Sequence, residues 1–234
     1  MSGAPLSRRV GTRRGWRLYR SVAMRHLGQE GLEAWIRHRG LLTWVDLRTV
    51  EERARDPSWT RFVGEVGLQV VHRPLRAILP AASCPYPQGS DYVPYLASIL
   101  DDLDAFVGAL EAVVDGLPEG VVVGCSQGKD RTGLVCAALL ELDGATWEEV
   151  AEDYTRALEA LAEGAIAEER SWNSRGLTRS QYLRRYKLGS APLRGLLSRL
   201  APGPPSLTGW LMTDERYTSK LQGLRRCVRE LSRA

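Results

Sequence analysis

Cys125 and Arg131 stand six residues apart in the stretch VVVGCSQGKDRTGLVCAALLELDG, residues 121–144. The β-branched run at 121–123 predicts the end of a buried strand, and the apolar pattern from Gly133 onward predicts a helix. Ligands of open parallel sheets bind beyond the carboxyl ends of the strands. The backbone amides of this turn and the amino terminus of the helix would both attract negative charge. The turn therefore predicts a binding site for an anion.

The residue types in the turn suit the chemistry of phosphate. Gly128 permits a tight loop, because a residue without Cβ adopts a positive φ at no steric cost. The guanidinium of Arg131 can direct two hydrogen bonds to the oxygens of one anion. Cys125 lies at the base of the turn, where the same field stabilises a thiolate. The pattern predicts a nucleophilic thiolate that attacks the phosphorus of a bound phosphate ester.

Two other interpretations of the turn are weaker. An ATP-binding Walker loop needs four residues between its glycine and the Gly-Lys pair, followed by Ser or Thr. Here three residues separate Gly124 from Gly128, and Asp130 follows Lys129, so the chain does not fit that loop. A buried cysteine without a chemical role would not explain the Gly, Lys, Asp, Arg and Thr that follow Cys125.

Strands and helices alternate along the chain around this turn. A short strand or turn is predicted at 15–21, strands at 41–48, 67–75 and 119–124, and helices at 31–40, 95–114, 132–144, 146–163 and 217–231. A polar helical turn is predicted at 49–57, and the Pro- and Gly-rich segment 76–94 predicts a long loop of the kind that is often functional. The alternation predicts an α/β fold with a central, mostly parallel sheet flanked by helices.

The length of 234 residues is sufficient for one domain with its own core. We expect an N-terminal arm at 1–14 and a single domain at 15–234. Within that domain, 161–213 is expected to form a helical, lid-like region and 214–234 a terminal helix.

Composition narrows the class of protein and its partners. Hydrophobic residues make up 44% and charged residues 26%, as in ordinary globular proteins. No apolar run reaches the length of a transmembrane segment, and the basic N-terminus lacks the apolar core of a secretory signal. The four cysteines have neither metal-ligand nor disulfide spacing, so a cytoplasmic location is expected. The arginine clusters alternate with apolar residues, so no nucleic-acid partner is expected; the oligomeric state is left open.

The turn CSQGKDRTG, residues 125–133, resembles the C-x5-R-[ST] signature of cysteine-dependent protein tyrosine phosphatases. Its Gly-Lys-Asp-Arg-Thr-Gly form looks like the bacterial branch that includes dual-specificity and phosphoinositide-active members. The segments LYRS, VDLRTVEERARDP, VVHRPL and AEDYTRAL stand in the order of that branch, so the resemblance covers about residues 10–160. It implies hydrolysis of phosphate monoesters through a phosphocysteine, with no metal or cofactor.

The resemblance also implies roles for individual residues. Cys125 would be the nucleophile, Arg131 would bind the phosphoryl oxygens, and Thr132 would hydrogen-bond the sulfur and assist breakdown of the intermediate. The backbone amides that would line the phosphate site belong to Ser126, Gln127, Gly128, Lys129, Asp130 and Arg131. The side chain of Lys129 either pairs with an anionic substrate or is solvated.

Two features depart from the family pattern. Gly124 stands where the family usually has a histidine that helps to order the loop, so weaker activation of the thiolate is expected. The family's mobile WPD acid loop is absent, and two carboxylates could supply the general acid. Asp130 is favoured because the turn itself fixes its place, although it could instead brace the loop through a salt bridge. Asp91 lies in the long loop, where its alternative role is to cap a helix.

Other polar residues near the predicted strands have less specific roles. Arg20 and Ser21 either line the pocket or bond the backbone. Asp46, Arg48 and Glu51 are expected to form a structural network beside the sheet.

The class of substrate has several candidates. Phosphotyrosine in proteins is the family default, and a small phosphorylated metabolite (a nucleotide, nucleoside or sugar phosphate) is the alternative. Phosphoinositides come third, because lipid-active relatives often place a lysine where this chain has Ser126. A phosphate-binding pseudophosphatase is the non-enzymatic alternative, suggested by Gly124. The segment 168–187 either forms a solvated helix without a ligand, which is favoured, or folds over the loop as a lid and offers a second anion site at Arg175, Arg179, Arg184 and Arg185.

Overall fold

The structure is a computed structural model that describes residues 7–11, 15–22, 29–55, 63–78, 91–166, 178–184 and 186–231. Its strands are β1 (Ser7–Arg9), β2 (Leu18–Val22), β3 (Thr43–Asp46), β4 (Gln69–His72) and β5 (Val121–Cys125). Its helices are α1 (Gln29–Arg39), α2 (Val50–Ala54), α3 (Tyr92–Ser98), α4 (Leu103–Gly116), α5 (Asp130–Leu142), α6 (Trp147–Ile166), α7 (Arg179–Arg184), α8 (Ala191–Leu200), α9 (Leu207–Leu211) and α10 (Glu215–Glu230).

Strand β5 occupies the centre of a sheet with the order β1-β2-β5-β3-β4. Strands β2 and β3 flank β5 in parallel, and β4 pairs with β3 in parallel. Only β1 runs antiparallel, at the edge beside β2. The carboxyl ends of the four parallel strands therefore meet at one edge of the sheet, and the loop that follows Cys125 begins at that edge.

Apolar side chains cover both faces of β5. Val121 and Val123 pack in a large cluster with side chains of α4 and α5, such as Phe106. Val122 points the other way, into a smaller cluster that contains Trp44 of β3. Burial on both faces explains why β5 reads as a continuous apolar run. The predicted α/β architecture with a central, mostly parallel sheet is confirmed.

The C-terminal helices pack against the same core. Helix α8 lies on α3, α9 on α5, and α10 on α4 and α5. The Glu141 carboxylate accepts hydrogen bonds from the backbone amides of Leu207 and Thr208, at 2.9 and 2.7 Å, and so holds the start of α9. No helix in the described part of the chain is both long and apolar enough to cross a membrane. Residues 167–177 and 185 lie outside the described residues, so the lid-like role of 161–213 stays a prediction.

Three predicted boundaries differ from the structure. The helix expected at 95–114 is two helices, because the Asp102 side chain accepts a hydrogen bond from the amide of Ala105 and begins α4 afresh. The loop expected at 76–94 ends earlier, since α3 begins at Tyr92. The segment expected to be an N-terminal arm contains β1, whose backbone pairs with the edge of β2. Its short polar sequence had no alternating pattern that could have predicted a strand.

Candidate active site

The loop from Cys125 to Asp130 joins the end of β5 to the first turn of α5. Cys125 is only 3% exposed and lies at the carboxyl edge of the sheet. Gly128 has a φ of 62°, a conformation that a residue with Cβ adopts only with strain. The amino terminus of a helix carries partial positive charge and free amide donors. The loop thus brings the thiol to a position where an anion is favoured.

The guanidinium of Arg131 is fixed by the carboxylate of Glu52 in α2. Its Nη1 and Nη2 atoms donate to Glu52 Oε2 and Oε1 at 2.5 and 2.7 Å. Nη1 also lies 3.3 Å from the carbonyl oxygens of Leu47 and Leu75, which follow β3 and β4. Burial alone would lower the pKa of Arg131, but the neighbouring Cys125 and Glu52 raise it above its ordinary value. The arginine is therefore cationic and held in one orientation.

Glu52 accepts hydrogen bonds from four donors. Two come from Arg131, one from the Ser126 hydroxyl at 2.5 Å and one from the Thr49 amide at 2.8 Å. Burial acts to raise the pKa of Glu52, but the hydrogen bonds and charge of Arg131 outweigh it and lower the pKa to about 2. Glu52 was not among the predicted site residues, whereas its neighbour Glu51 was expected in the structural network beside the sheet. The available signal was the Thr-x-x-Glu capping box that begins α2.

Asp130 lies in a buried cluster with two tyrosines of α3. The Tyr92 hydroxyl donates to Asp130 Oδ1 at 2.7 Å, and the Tyr95 hydroxyl is 3.5 Å from Oδ2. The Nζ atom of Lys129 is 3.1 Å from Asp130 Oδ1 and also donates to the Tyr92 hydroxyl. Burial and the nearby Asp130 raise the pKa of Tyr95 well above its ordinary value, so this hydroxyl keeps its proton.

Lys129 is buried, whereas one of its two predicted alternatives was a solvated side chain. The side chain is 1% exposed, and Nζ lies 4.6 Å from the centre of the Tyr92 ring. A solvated lysine is therefore the wrong interpretation, because the ammonium is enclosed by Asp130 and Tyr92. The salt bridge considered for Asp130 is present, and its role as the general acid stays a prediction.

Arg20 braces the loop from the neighbouring strand. Its Nη2 atom donates to the carbonyl oxygens of Gly128 and Lys129 at 3.2 and 3.4 Å, and Nη1 pairs with Asp153 of α6 at 3.0 Å. Of the two roles predicted for Arg20, bonding to the backbone is the one observed. In a trans peptide the carbonyl and the following N–H point in opposite directions. The amides of Lys129 and Asp130 are therefore directed away from Arg20.

Gly124 has no space for a side chain. A Cβ atom there would lie 2.9 Å from the carbonyl oxygen of Ser21 and 2.9 Å from Cζ2 of Trp44. Ser21 is buried beside Gly124 in the sheet and contributes its backbone to this contact. Because Trp44 is itself buried, glycine is required at the position where the family usually has histidine. The effect of this glycine on thiolate activation stays a prediction.

The remaining residues proposed for catalysis and binding lie around the loop. Thr132 is fully buried in the first turn of α5, and its hydroxyl has no hydrogen-bond partner among the described residues. Gln127 is half-buried. Asp91 occupies the N-cap position of α3 but is exposed and makes no capping hydrogen bond through its side chain. Arg184 is exposed at the end of α7, whereas Arg175, Arg185 and the side chain of Arg179 lie outside the described residues.

The expected structural network beside the sheet involves two of its three predicted members. Arg48 Nη2 pairs with Asp46 Oδ2 at 2.8 Å, and Arg48 Nε donates to Asp46 Oδ1 at 2.9 Å. Both side chains are buried, and Arg53 approaches Asp46 to 3.5 Å. Glu51 is exposed on α2, and its neighbour Glu52 is the acidic residue of this helix that reaches the loop.

Comparison with known proteins identifies the family. A family model described as the tyrosine phosphatase family matches residues 2–217. No curated protein matches the chain. A solved structure of the Siw14 catalytic core is similar at a TM-score of 0.42 and 15% sequence identity, over 65% of this chain and 75% of that chain. The chain belongs to the tyrosine phosphatase family and is a cysteine-dependent phosphatase.

Proposed function

We propose that this phosphatase hydrolyses phosphate monoesters through a phosphocysteine formed on Cys125. The observation that carries the proposal is the fixed position of Arg131 in the same loop, held by Glu52 and by the carbonyl oxygens of Leu47 and Leu75. A guanidinium that is already oriented can bind two oxygens of a phosphoryl group without the cost of ordering it.

The reaction proceeds in two steps. The Cys125 thiolate attacks phosphorus in line, the bond from phosphorus to the ester oxygen breaks, and Asp130 gives its proton to the leaving oxygen. Water then attacks the phosphocysteine, the bond from sulfur to phosphorus breaks, and Asp130 takes a proton from the water. The buried hydroxyl of Thr132 donates to the departing thiolate. Phosphate is released, and both residues return to their starting states.

The proposed substrates are proteins that carry phosphotyrosine. Val50 and Ile78 are large apolar side chains that are 64% and 57% exposed. Val50 lies two residues before Glu52, and Ile78 three residues after Leu75, so both belong to the segments that hold Arg131. We propose that these two exposed apolar side chains contact the ring of phosphotyrosine and the peptide around it, which a small polar metabolite would not need.

The nucleophile is tested by replacing Cys125 with serine. Turnover of an aryl phosphate by Cys125→Ser should fall to background, whereas binding of vanadate should persist because the loop and Arg131 are unchanged. Cys227→Ser is the matched control, since that thiol is exposed and outside the loop, and it should keep wild-type activity. Turnover by Cys125→Ser at the wild-type rate would contradict the mechanism. A wild type without activity on any phosphate ester would instead indicate a pseudophosphatase.

The substrate class is tested by comparing kcat/KM for phosphotyrosyl peptides, phosphoseryl peptides and a panel of phosphorylated metabolites. The double variant Val50→Thr/Ile78→Thr should lower kcat/KM for the phosphotyrosyl peptides and leave the other substrates unaffected. Leu42→Thr is the control, because Leu42 is another exposed apolar residue, and it should leave kcat/KM unchanged for every substrate. A preference for metabolites that disappears in Arg175→Ala/Arg179→Ala would replace this proposal with the enclosed metabolite site.

A further inference from the structure

The buried cluster at the start of α5 contains more polar groups than the proposed mechanism uses. Asp130 is the proposed general acid, yet Tyr92, Tyr95 and Lys129 also meet there. Tyr92 and Lys129 are both almost fully buried. Their side chains contact each other and the carboxyl group of Asp130.

The directions of the hydrogen bonds in this cluster follow from the chemistry of its members. A lysine ammonium can only donate, so the Tyr92 oxygen must accept the hydrogen bond from Lys129. The single proton of the Tyr92 hydroxyl is then free to point to Asp130 Oδ1, at 2.7 Å. Lys129 approaches the same Oδ1 atom, at 3.1 Å. Oδ1 is therefore fixed as an acceptor of two donors.

The second carboxyl oxygen of Asp130 is held much more weakly. Oδ2 lies 3.5 Å from the Tyr95 hydroxyl, which is longer than a normal hydrogen bond between two oxygens. Oδ1 accepts hydrogen bonds from two donors. If Asp130 carried its proton on Oδ1, that proton would be repelled by the protons of both donors. The proton belongs on Oδ2, the oxygen that is free to transfer it.

The position of Tyr92 is itself rigid. It lies in the first turn of α3, and α8 packs directly on this helix. The contact is close, because a Cβ at Gly195 of α8 would come within 2.9 Å of Val93 Cγ2. Leu96 of α3 and Leu196 of α8 belong to the main core. A rigid support of this kind is what a catalytic group needs to keep a productive orientation.

We propose that Tyr92 and Lys129 are positioning residues that anchor Oδ1 of Asp130 and direct its transferable proton to Oδ2. The proposal rests on the role of Asp130 as the general acid in the proposed function. It assigns to Lys129 an internal task in the reaction, distinct from pairing with an anionic substrate.

The test compares Tyr92→Phe, Asp130→Asn and the double variant on two substrates. An alkyl phosphate needs protonation of its leaving oxygen, whereas an activated aryl phosphate needs it far less. For Tyr92→Phe we expect kcat on the alkyl phosphate to fall about tenfold, with KM unchanged and less than about a twofold loss on the aryl phosphate. Because Tyr92 acts only through Asp130, the double variant should be no slower than Asp130→Asn alone.

Two further variants keep the test specific. Tyr217→Phe is the matched control, since Tyr217 is also buried and donates to an aspartate, Asp104 Oδ1, at 2.9 Å, and it should leave both rates unchanged. Lys129→Met keeps a long buried side chain and should reproduce the selective loss on the alkyl phosphate.

Four outcomes would overturn the proposal. Equal losses on both substrates in Tyr92→Phe, or losses that add to those of Asp130→Asn, would mean that Tyr92 only supports the fold. A normal Tyr92→Phe with a slow Asp130→Asn would refute the positioning role and leave the acid assignment intact. A normal alkyl rate in Asp130→Asn would refute the acid assignment as well.

Discussion

Glu52 and Asp130 are two carboxylates beside the same loop, and their partners differ. Glu52 accepts hydrogen bonds from both terminal nitrogens of the Arg131 guanidinium, and its pKa is about 2, so it is ionised at neutral pH. Asp130 is buried with a neutral hydroxyl, that of Tyr92, and with the ammonium of Lys129. Glu52 is therefore ionised and orients the arginine, with no proton to give at neutral pH. Asp130 is the proposed proton donor of the two.

The largest expected effect comes from removing the proposed general acid, Asp130. Asp130→Asn should slow an alkyl phosphate by about a hundredfold or more and an activated aryl phosphate far less, because only the poor leaving group needs a proton. The basic limb of the pH–rate profile should flatten in the same variant. Steady-state kinetics on the two substrates across pH provide the measurement. Asp91→Asn serves as the comparison, and a selective loss there, with Asp130→Asn nearly normal, would transfer the acid role to Asp91.

An intermediate effect is expected from Glu52→Gln. This change removes the ion pair that orients Arg131, so kcat/KM should fall about tenfold for the alkyl and the aryl phosphate alike. The ratio of the two rates is the informative measurement, because it should stay at the wild-type value. Glu51→Gln on the exposed side of the same helix should have no effect. A change in that ratio for Glu52→Gln would mean that Glu52 takes part in proton transfer.

The same variant should alter the dependence of stability on pH. The pKa of Glu52 falls from an ordinary value of 4.5 to about 2 in the folded protein, so its contribution is complete above pH 4.5 and is lost as the pH falls towards 2. After allowance for solvent screening of this partly exposed side chain, that contribution is about 1–2 kcal/mol. The measurement is denaturant unfolding of wild type and Glu52→Gln between pH 5 and pH 2, the range set by these pKa values. The free energy of unfolding should fall less in the variant than in the wild type as the pH is lowered. Parallel declines in the two proteins would contradict the ion pair.

The smallest expected effect on catalysis comes from a substitution in β5, the strand that leads into the loop. Gly124→Ala places a Cβ against Ser21 and Trp44 and should lower the free energy of unfolding by about 1–3 kcal/mol. The ratio of alkyl to aryl rates should be unchanged, since the strand supports the whole loop. Gly108→Ala in α4 is the control, because no atom lies within 4 Å of the added Cβ. It should raise stability by about 0.5–1 kcal/mol, the usual advantage of alanine over glycine in a helix. A Gly124→Ala protein as stable as wild type would show that Trp44 can move.

Local patterns were sufficient for the parts of the protein that are continuous in sequence. The strand, turn and helix around Cys125 were predicted because β-branched residues, a glycine and an apolar helical repeat follow one another directly. A predicted helix boundary was wrong where the apolar spacing continued from one helix into the next. The apolar spacing of 95–114 runs through the end of α3 and the start of α4, so one helix was predicted where there are two. Tyr92 was placed in the loop 76–94 because that segment is rich in Pro and Gly.

By itself the sequence determined the anion-binding turn, the pairing of Cys125 with Arg131, and the α/β alternation, because residues so close along the chain share one local conformation. Tertiary structure alone decided which groups complete the site. Glu52 lies 79 residues from Arg131, and Tyr92 lies 38 residues from Asp130. These contacts arise because α2 and α3 pack at the carboxyl edge of one sheet, and no local pattern specifies where two distant helices meet.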